Sequence, residues 1–394
     1  MKKNSFFIVV IILVFIEVAV LLFQANNNNR DAKIIAQESC QNAKDSSERL
    51  SCWEDLIEKT LSKKGLGEAF NLIGSLYEGN QVFAQDCHGY VHLLGEKAYE
   101  LFSQNKEVAV SQKSSYCGYG FYHGFMETLL HTTNDIEEAR AFCDYADAEL
   151  KKETADAGGA CYHGIGHGAV DDVPEPNLWG KPLGIIKEPL QLCEKLAGYD
   201  SSRHGNLFRC VTGVFNSLEI LMSSARFELS LDRSDPFWIC RTQKQTYKEA
   251  CYTQMVVAAM NVSSNDFVRA ANFIGTIEED DYATHSLSTL VVERVRANKT
   301  DYKETLEFCR NLPKRFHIPC ITGFAEGFLK YGPPQKEYVE ALEFCKSDLL
   351  TDTEKQACFG RILSILRIWY THEKSQEICQ SVQSEYQLDN CEYN

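Results

Sequence analysis

Five of the ten histidines in this 394-residue chain fall into a pattern that could bind a metal ion. His88/His92 and His163/His167 are pairs four residues apart, and His123/Glu127 repeats the spacing. Residues i and i+4 of a helix share a face, so each pair can address one point. Imidazole and carboxylate are good ligands for zinc, iron, manganese or copper. The candidate metal set is therefore His88, His92, His123, Glu127, His163 and His167. Glu96, four residues after His92, and Asp171 and Asp172, just beyond His167, could add carboxylates. Neighbouring helices pack about 8–10 Å apart, so two neighbours can share one ion, whereas a first and a third can do so only if the chain curves sharply. The competing reading is structural: partly buried, hydrogen-bonded histidines at positions where a repeat prefers a ring.

Other chemistry finds little support in the sequence. No His-Glu-x-x-His assigns a metalloprotease base, and there is no Gly-x-Ser-x-Gly elbow, phosphate loop or dinucleotide fingerprint. A formal charge of −15 repels nucleic acid and anionic headgroups, so neither is an expected partner.

The histidine motifs sit inside a wider repetition. Cys161-Tyr162-His163-Gly164-Ile165-Gly166-His167-Gly168 has relatives beginning at Cys87, Cys117, Cys210 and Cys320. His123 and His167 stand six residues after their cysteines and His92 five after, while Asn216 and Glu326 hold the sixth place later on. The glycine pairs Gly120/Gly124, Gly164/Gly168 and Gly323/Gly327, with Gly213/Ser217, also recur. Each helical glycine costs about 1 kcal/mol against alanine, and close backbone approach of adjacent helices would explain the cost.

Sixteen cysteines without one Cys-x-x-Cys pair argue against zinc or thioredoxin chemistry and for disulfides in an oxidising compartment. Taken as neighbours, they pair Cys40/Cys52, Cys87/Cys117, Cys143/Cys161, Cys193/Cys210, Cys240/Cys251, Cys309/Cys320, Cys345/Cys358 and Cys379/Cys391. In the regular units a first cysteine is expected to close one helix and the second to open the next after a polar loop, so that the two meet across the turn of a helical hairpin. First cysteines at 240, 309, 345 and 379 give a period of 34 to 36 residues, with one cysteine-free unit in which His285 takes the place of Cys320. Units of that length stack, because none can bury its apolar face alone. The expected fold is all-α: an α/α hairpin-repeat solenoid with disulfides inside the hairpins.

The paired cysteines, the glycines that follow them and the run Gly327 to Gly332 leading to Tyr338–Cys345 make the C-terminal half resemble disulfide-bridged Sel1-like and tetratricopeptide-like repeat proteins. That resemblance implies an interaction scaffold and transfers no catalytic motif. Upstream the units lengthen through two insertions, residues 171–189 and 223–238. The first carries Pro174, Pro176, Trp179, Pro182 and Pro189, excludes regular helix, and is either a lid over the histidines or a surface loop.

At the N-terminus Lys2 and Lys3 precede an apolar run from Phe6 to Phe23 broken only by Glu17. Its length suits a membrane span, it lacks a small-x-small cleavage site, and the lysines keep the short end in the cytoplasm. The organisation read from the sequence is a cytoplasmic stub (1–4), a transmembrane signal anchor (5–24), a polar linker (25–31), histidine-rich repeats (32–239) and regular repeats (240–394). Such a single-pass, extracytoplasmic protein is expected to hold a protein or small ligand on its concave face, or to bind a transition metal, with or without catalysis.

Overall fold

The computed structural model describes residues 40–105, 108–153, 156–170, 174–197, 205–297, 302–333 and 336–386, which are helical with no strand among them. The apolar run and its proposed anchor, residues 5–24, lie outside the described residues, and no described helix is long and apolar enough to cross a membrane. Asp171, Asp172 and Cys391 also lie outside.

Two compact units divide at Lys63/Lys64. In the first, Cys40 is bonded to Cys52 of helix α1 (Ser46–Lys64). The second holds two kinds of helix. One row consists of α3 (Gln81–Asn105), α4 (Tyr116–Thr133), α6 (Ala157–Val170), α9 (Asn206–Ser223), α11 (Gln245–Gln254), α14 (Asp280–Ala297), α16 (His317–Tyr331) and α18 (Asp352–Trp369), each packed on the next. The other helices back this row: α2 (Leu66–Gly79) on α3, α5 (Ile136–Leu150) on α6, α8 (Lys187–Ala197) on α9, α10 (Trp238–Arg241) on α11, α13 (Phe267–Ile274) on α14, α15 (Tyr302–Asn311) on α16 and α17 (Glu337–Lys346) on α18. Short α7 (Pro182–Ile185) and α12 (Val256–Val262) intervene, and α19 (His372–Tyr386) ends the described chain. Packing between α9 and α11 crosses the 239/240 boundary expected from the sequence.

Seven expected disulfides are present. Cys379 is also disulfide-bonded. Five of the seven, Cys143–Cys161, Cys193–Cys210, Cys240–Cys251, Cys309–Cys320 and Cys345–Cys358, join a backing helix to its row helix.

The expected register needs correction at two of these bonds. Cys251 and Cys358 do not open their helices. Each is the seventh residue, in the second turn of α11 and α18. The residues read as a polar loop before Cys358 are themselves helical, because Thr351 and Glu354 form a reciprocal capping box that starts α18 at Asp352. Before Cys251 the loop shrinks in the same way to Thr242–Lys244, and α11 starts at Gln245. The bonds form nonetheless, since Cα–Cα separations of 5.4 Å for Cys240–Cys251 and 5.6 Å for Cys345–Cys358 suit a disulfide.

Cys87–Cys117 differs in kind. It joins α3 and α4 near their starts, two consecutive row helices, and the described residues between them, 108–115, hold only a short 3-10 turn where other units place a backing helix. The cysteine-free unit is α13/α14, and its His285 Nδ1 lies 2.6 Å from Glu249 Oε1 of α11.

Glycine sets the spacing of the row. Five of the 14 residues of α6 are glycine, a composition poorly suited to an isolated helix. Packing supplies the reason. A methyl group on Gly124 would stand 2.0 Å from His92 O, one on Gly164 2.4 Å from Tyr122 O, and one on Gly166 2.0 Å from Cys210 O. These contacts advance together along α3, α4, α6 and α9, so the helices run parallel with their backbones nearly touching. The close packing expected from the paired glycines is thus present.

Late helices return to early ones. α16 touches α4, Tyr119 Oη donates to Ile368 O at 2.6 Å, and Tyr77 Oη donates to Tyr331 O. The start of α4 is shaped for this contact, since Cys117, Gly118 and Tyr119 all have φ between 54° and 73°. Left-handed geometry is costly for the two non-glycine residues.

Candidate functional site

His88 and His92 come from α3, His123 and Glu127 from α4, His163 and His167 from α6, and all six come together where these helices touch. One ring nitrogen each from His123, His163 and His167 lie within 4.8 Å of one another. The other three candidates surround this trio.

Hydrogen bonds fix which nitrogen of each ring carries its proton. His88 Nδ1 is 2.8 Å from Cys117 O, which only accepts, so the proton is on Nδ1 and Nε2 carries a lone pair. That Nε2 lies 3.3 Å from His123 Nδ1, which therefore donates to it and leaves His123 Nε2 with a lone pair. Thr212 Oγ1 donates to Arg209 O at 2.6 Å and so accepts from His163 Nδ1 at 2.7 Å. His163 Nε2 is left as an acceptor. His167 Nδ1 faces Glu127 Oε1 at 3.1 Å and Ser217 Oγ at 2.9 Å, while its Nε2 is buried with no partner. Each member of the trio thus has Nδ1 engaged by a neighbour and Nε2 uncommitted.

Electrostatics sets His92 apart from His88, His123 and His163. Burial pushes His123 well below the ordinary histidine range, reinforced by the fields of His167 and His163. His163 is likewise lowered by burial, then by His167 and Arg209. Burial also brings His88 down to about 4, with the bond to Cys117 O acting the other way. His92 goes in the opposite direction. Burial would lower it, but bonds to Glu127 (3.0 Å) and Glu96 (3.0 Å) outweigh that and raise it to about 10. Burial would raise Glu127, yet the bonds from His167 and His92 hold it at about 2. An imidazolium clamped between two carboxylates has no lone pair, so His92 supports the site through Glu127.

Of the six candidates, His123, His163 and His167 form the centre, His88 orients His123, and Glu127 orients His167 while holding His92. First and third helices do meet, but through Glu127, which bonds His92 on one side and His167 on the other. Thr212 was not singled out from the sequence, and Ser217 was read there only as the partner of Gly213 in a recurring packing pair. The available signal was position: Thr212 follows Cys210 by two residues, as His163 follows Cys161, and Ser217 stands in the glycine place.

The described part of the first insertion packs on the second. Gly180 N donates to Phe227 O at 2.9 Å and the Trp179 and Phe227 rings are 5.8 Å apart, while α7 packs on α8.

Compared with known proteins, the chain matches no family model, no curated protein and no solved structure.

Proposed function

We propose that this protein binds a transition metal ion through Nε2 of His123, His163 and His167. The observation that carries the reading is the shared orientation of the trio. Three imidazoles enclosed by protein, two of them held neutral by burial, each place Nδ1 on a hydrogen-bond partner and keep Nε2 for a ligand. A histidine that ligates a metal usually has its second nitrogen held in this way by a carboxylate, a carbonyl or a polar group. Packed purely for structure, the rings would leave acceptors unmet, His167 Nε2 foremost, and a buried unmet acceptor costs about 1–3 kcal/mol.

Three imidazoles with an open fourth position suit zinc first, with copper, iron and manganese as further candidates. The setting we propose is an extracytoplasmic α/α solenoid held to the membrane by residues 5–24, supported by the disulfides and by the apolar sequence after Lys3. The scaffold reading, with a protein or ligand on the concave face, rests on repeat architecture alone, and the histidine geometry favours the metal.

Elemental analysis of the purified full-length protein tests this. One metal per chain is expected, and its loss in His163→Ala/His167→Ala with the disulfide map unchanged. A wild-type protein that takes up none of zinc, copper, iron or manganese would end the metal reading.

A further inference from the structure

One disulfide is wired to the histidine cluster. Cys117 O accepts the proton of His88 Nδ1 at 2.8 Å, and His88 Nε2 accepts from His123 Nδ1 at 3.3 Å. Cys117 is bonded in turn to Cys87, the residue before His88. Both ends of the bond are therefore tied to one imidazole, through the chain on one side and through a carbonyl on the other. That imidazole orients a member of the trio. Among the described residues no other disulfide cysteine gives its carbonyl to a site histidine.

The carbonyl is held in a conformation that needs the bond. Cys117, Gly118 and Tyr119 have φ of 54°, 73° and 64°, and left-handed geometry persists outside glycine only where the surroundings impose it. Two things impose it here. One is the bond to Cys87; the other is Tyr119, whose hydroxyl donates to Ile368 O at 2.6 Å and whose ring lies 5.6 Å from that of Trp369. The residues just ahead, 112–115, form a single 3-10 turn, so no backing helix steadies the segment. Cys117 is also half-buried, whereas the ten cysteines of the other five described disulfides in the second unit are each 0% exposed. Thiol exchange requires access to a sulfur, which makes Cys87–Cys117 the first of these six bonds within reach of a reductant.

Resting on the metal reading above, we propose that Cys87–Cys117 is a redox switch of the metal site, opened by a dithiol and lowering metal affinity when it opens. One thiolate of the dithiol attacks Cys117 Sγ, and Cys87 leaves as a thiolate and takes a proton. The second thiol then attacks the mixed disulfide, and Cys117 leaves and takes the second proton. Two electrons and two protons pass to the protein, and the dithiol becomes a disulfide. With the bond open, residues 117–119 relax toward right-handed geometry and Cys117 O turns away from His88. His88 then no longer fixes which nitrogen of His123 carries the proton.

The test uses the full-length protein. Treated without metal by limiting tris(2-carboxyethyl)phosphine, then alkylated and mapped, it is expected to carry label on Cys87 and Cys117 before any of the ten buried cysteines. Another of the six bonds opening first would overturn the switch. Zinc affinity, read by competition with a chelating dye, is expected to fall at least tenfold in Cys87→Ser/Cys117→Ser and to stay within twofold in Cys345→Ser/Cys358→Ser. Should the first variant fail to fold, wild-type protein reduced at that one bond and freed of reductant takes its place. In a His88→Phe background, opening the bond is expected to cause no further loss, and a tenfold loss that persisted there would overturn the route through His88. Equal zinc affinity with the bond closed and open would overturn this inference alone. A wild-type protein that takes up none of zinc, copper, iron or manganese would overturn the metal reading and this inference with it.

Discussion

Helices α4 and α6 meet along Gly164 and Gly168, and helices α14 and α16 meet along Gly323 and Gly327. Both contacts join parallel row helices at the same place after a cysteine. In the first, the polar residues are histidines and one carboxylate, and the trio keeps its Nε2 atoms uncommitted. In the second, the polar groups satisfy one another: Glu293 takes Tyr331, Lys330 and Arg296, and Glu326 pairs with Arg361 of α18. A repeated backbone therefore offers the same inward positions several times, and residue type decides whether they become a ligand set or a closed ion-pair network.

The tightness of the contacts also differs, and this gives the largest expected effect. Gly166→Ala would put a methyl 2.0 Å from Cys210 O, which only a backbone shift can relieve. It should cost about 3 kcal/mol or more in denaturant unfolding, by overpacking, and release any bound metal. A variant as stable as wild type would show that the helix contact is looser than described.

Next in size is the carboxylate. Glu127→Gln should weaken metal binding about 10–100-fold, the usual effect of losing a partner that orients a ligand, whereas Glu326→Gln should leave metal affinity unchanged. Competition with a chelating dye measures both. Equal losses would erase the distinction between the two regions.

The third effect is a pH dependence of the metal-stripped protein. Glu127 is held at about 2 against an ordinary 4.5, so its stabilisation is present above pH 4.5 and is lost as pH falls toward 2. His92 is raised to about 10 from 6.5, so its share is complete below pH 6.5 and is lost as pH rises toward 10. The stability gap between wild type and His92→Gln/Glu127→Gln should therefore be widest between pH 4.5 and 6.5 and narrow on either side. His88, lowered to about 4, adds a loss of stability common to both proteins as pH falls from 6.5 to 4. A gap that did not vary with pH would refute the clamp.

The smallest effect lies at a glycine of the late region that has open space. A methyl on Gly360 in α18 meets nothing within 4 Å, so Gly360→Ala should stabilise the protein by about 1 kcal/mol. A loss of stability there would show that glycine in the late helices also serves close packing.

Seven cysteine pairs were legible in the sequence because partners are neighbours in the chain, and the clustering of the six polar residues was legible because helical spacing puts them on common faces. Where the helices begin was less legible. Cys251 and Cys358 looked like helix openers because an apolar run follows each, while the largely polar residues ahead of them form a first helical turn that reads as loop. The division of the six into a central trio and its supports was not legible at all. It depends on Cys117 O, Thr212 and Ser217, which decide where each imidazole carries its proton and are tertiary neighbours from other units. The connector between α3 and α4 was hidden because Cys87/Cys117 looks like the other pairs in sequence. The contact of α16 with α4 was hidden for a different reason: it follows from the return of the row on itself, a long-range property that repeat spacing does not encode.

The account rests most directly on the ligand set, and X-ray absorption at the edge of the bound metal tests it. The prediction is three imidazole nitrogens at about 2.0–2.1 Å with no sulfur, falling to two in a His123→Ala variant that still binds. A shell containing sulfur, or one unchanged in that variant, would contradict the assignment of His123, His163 and His167.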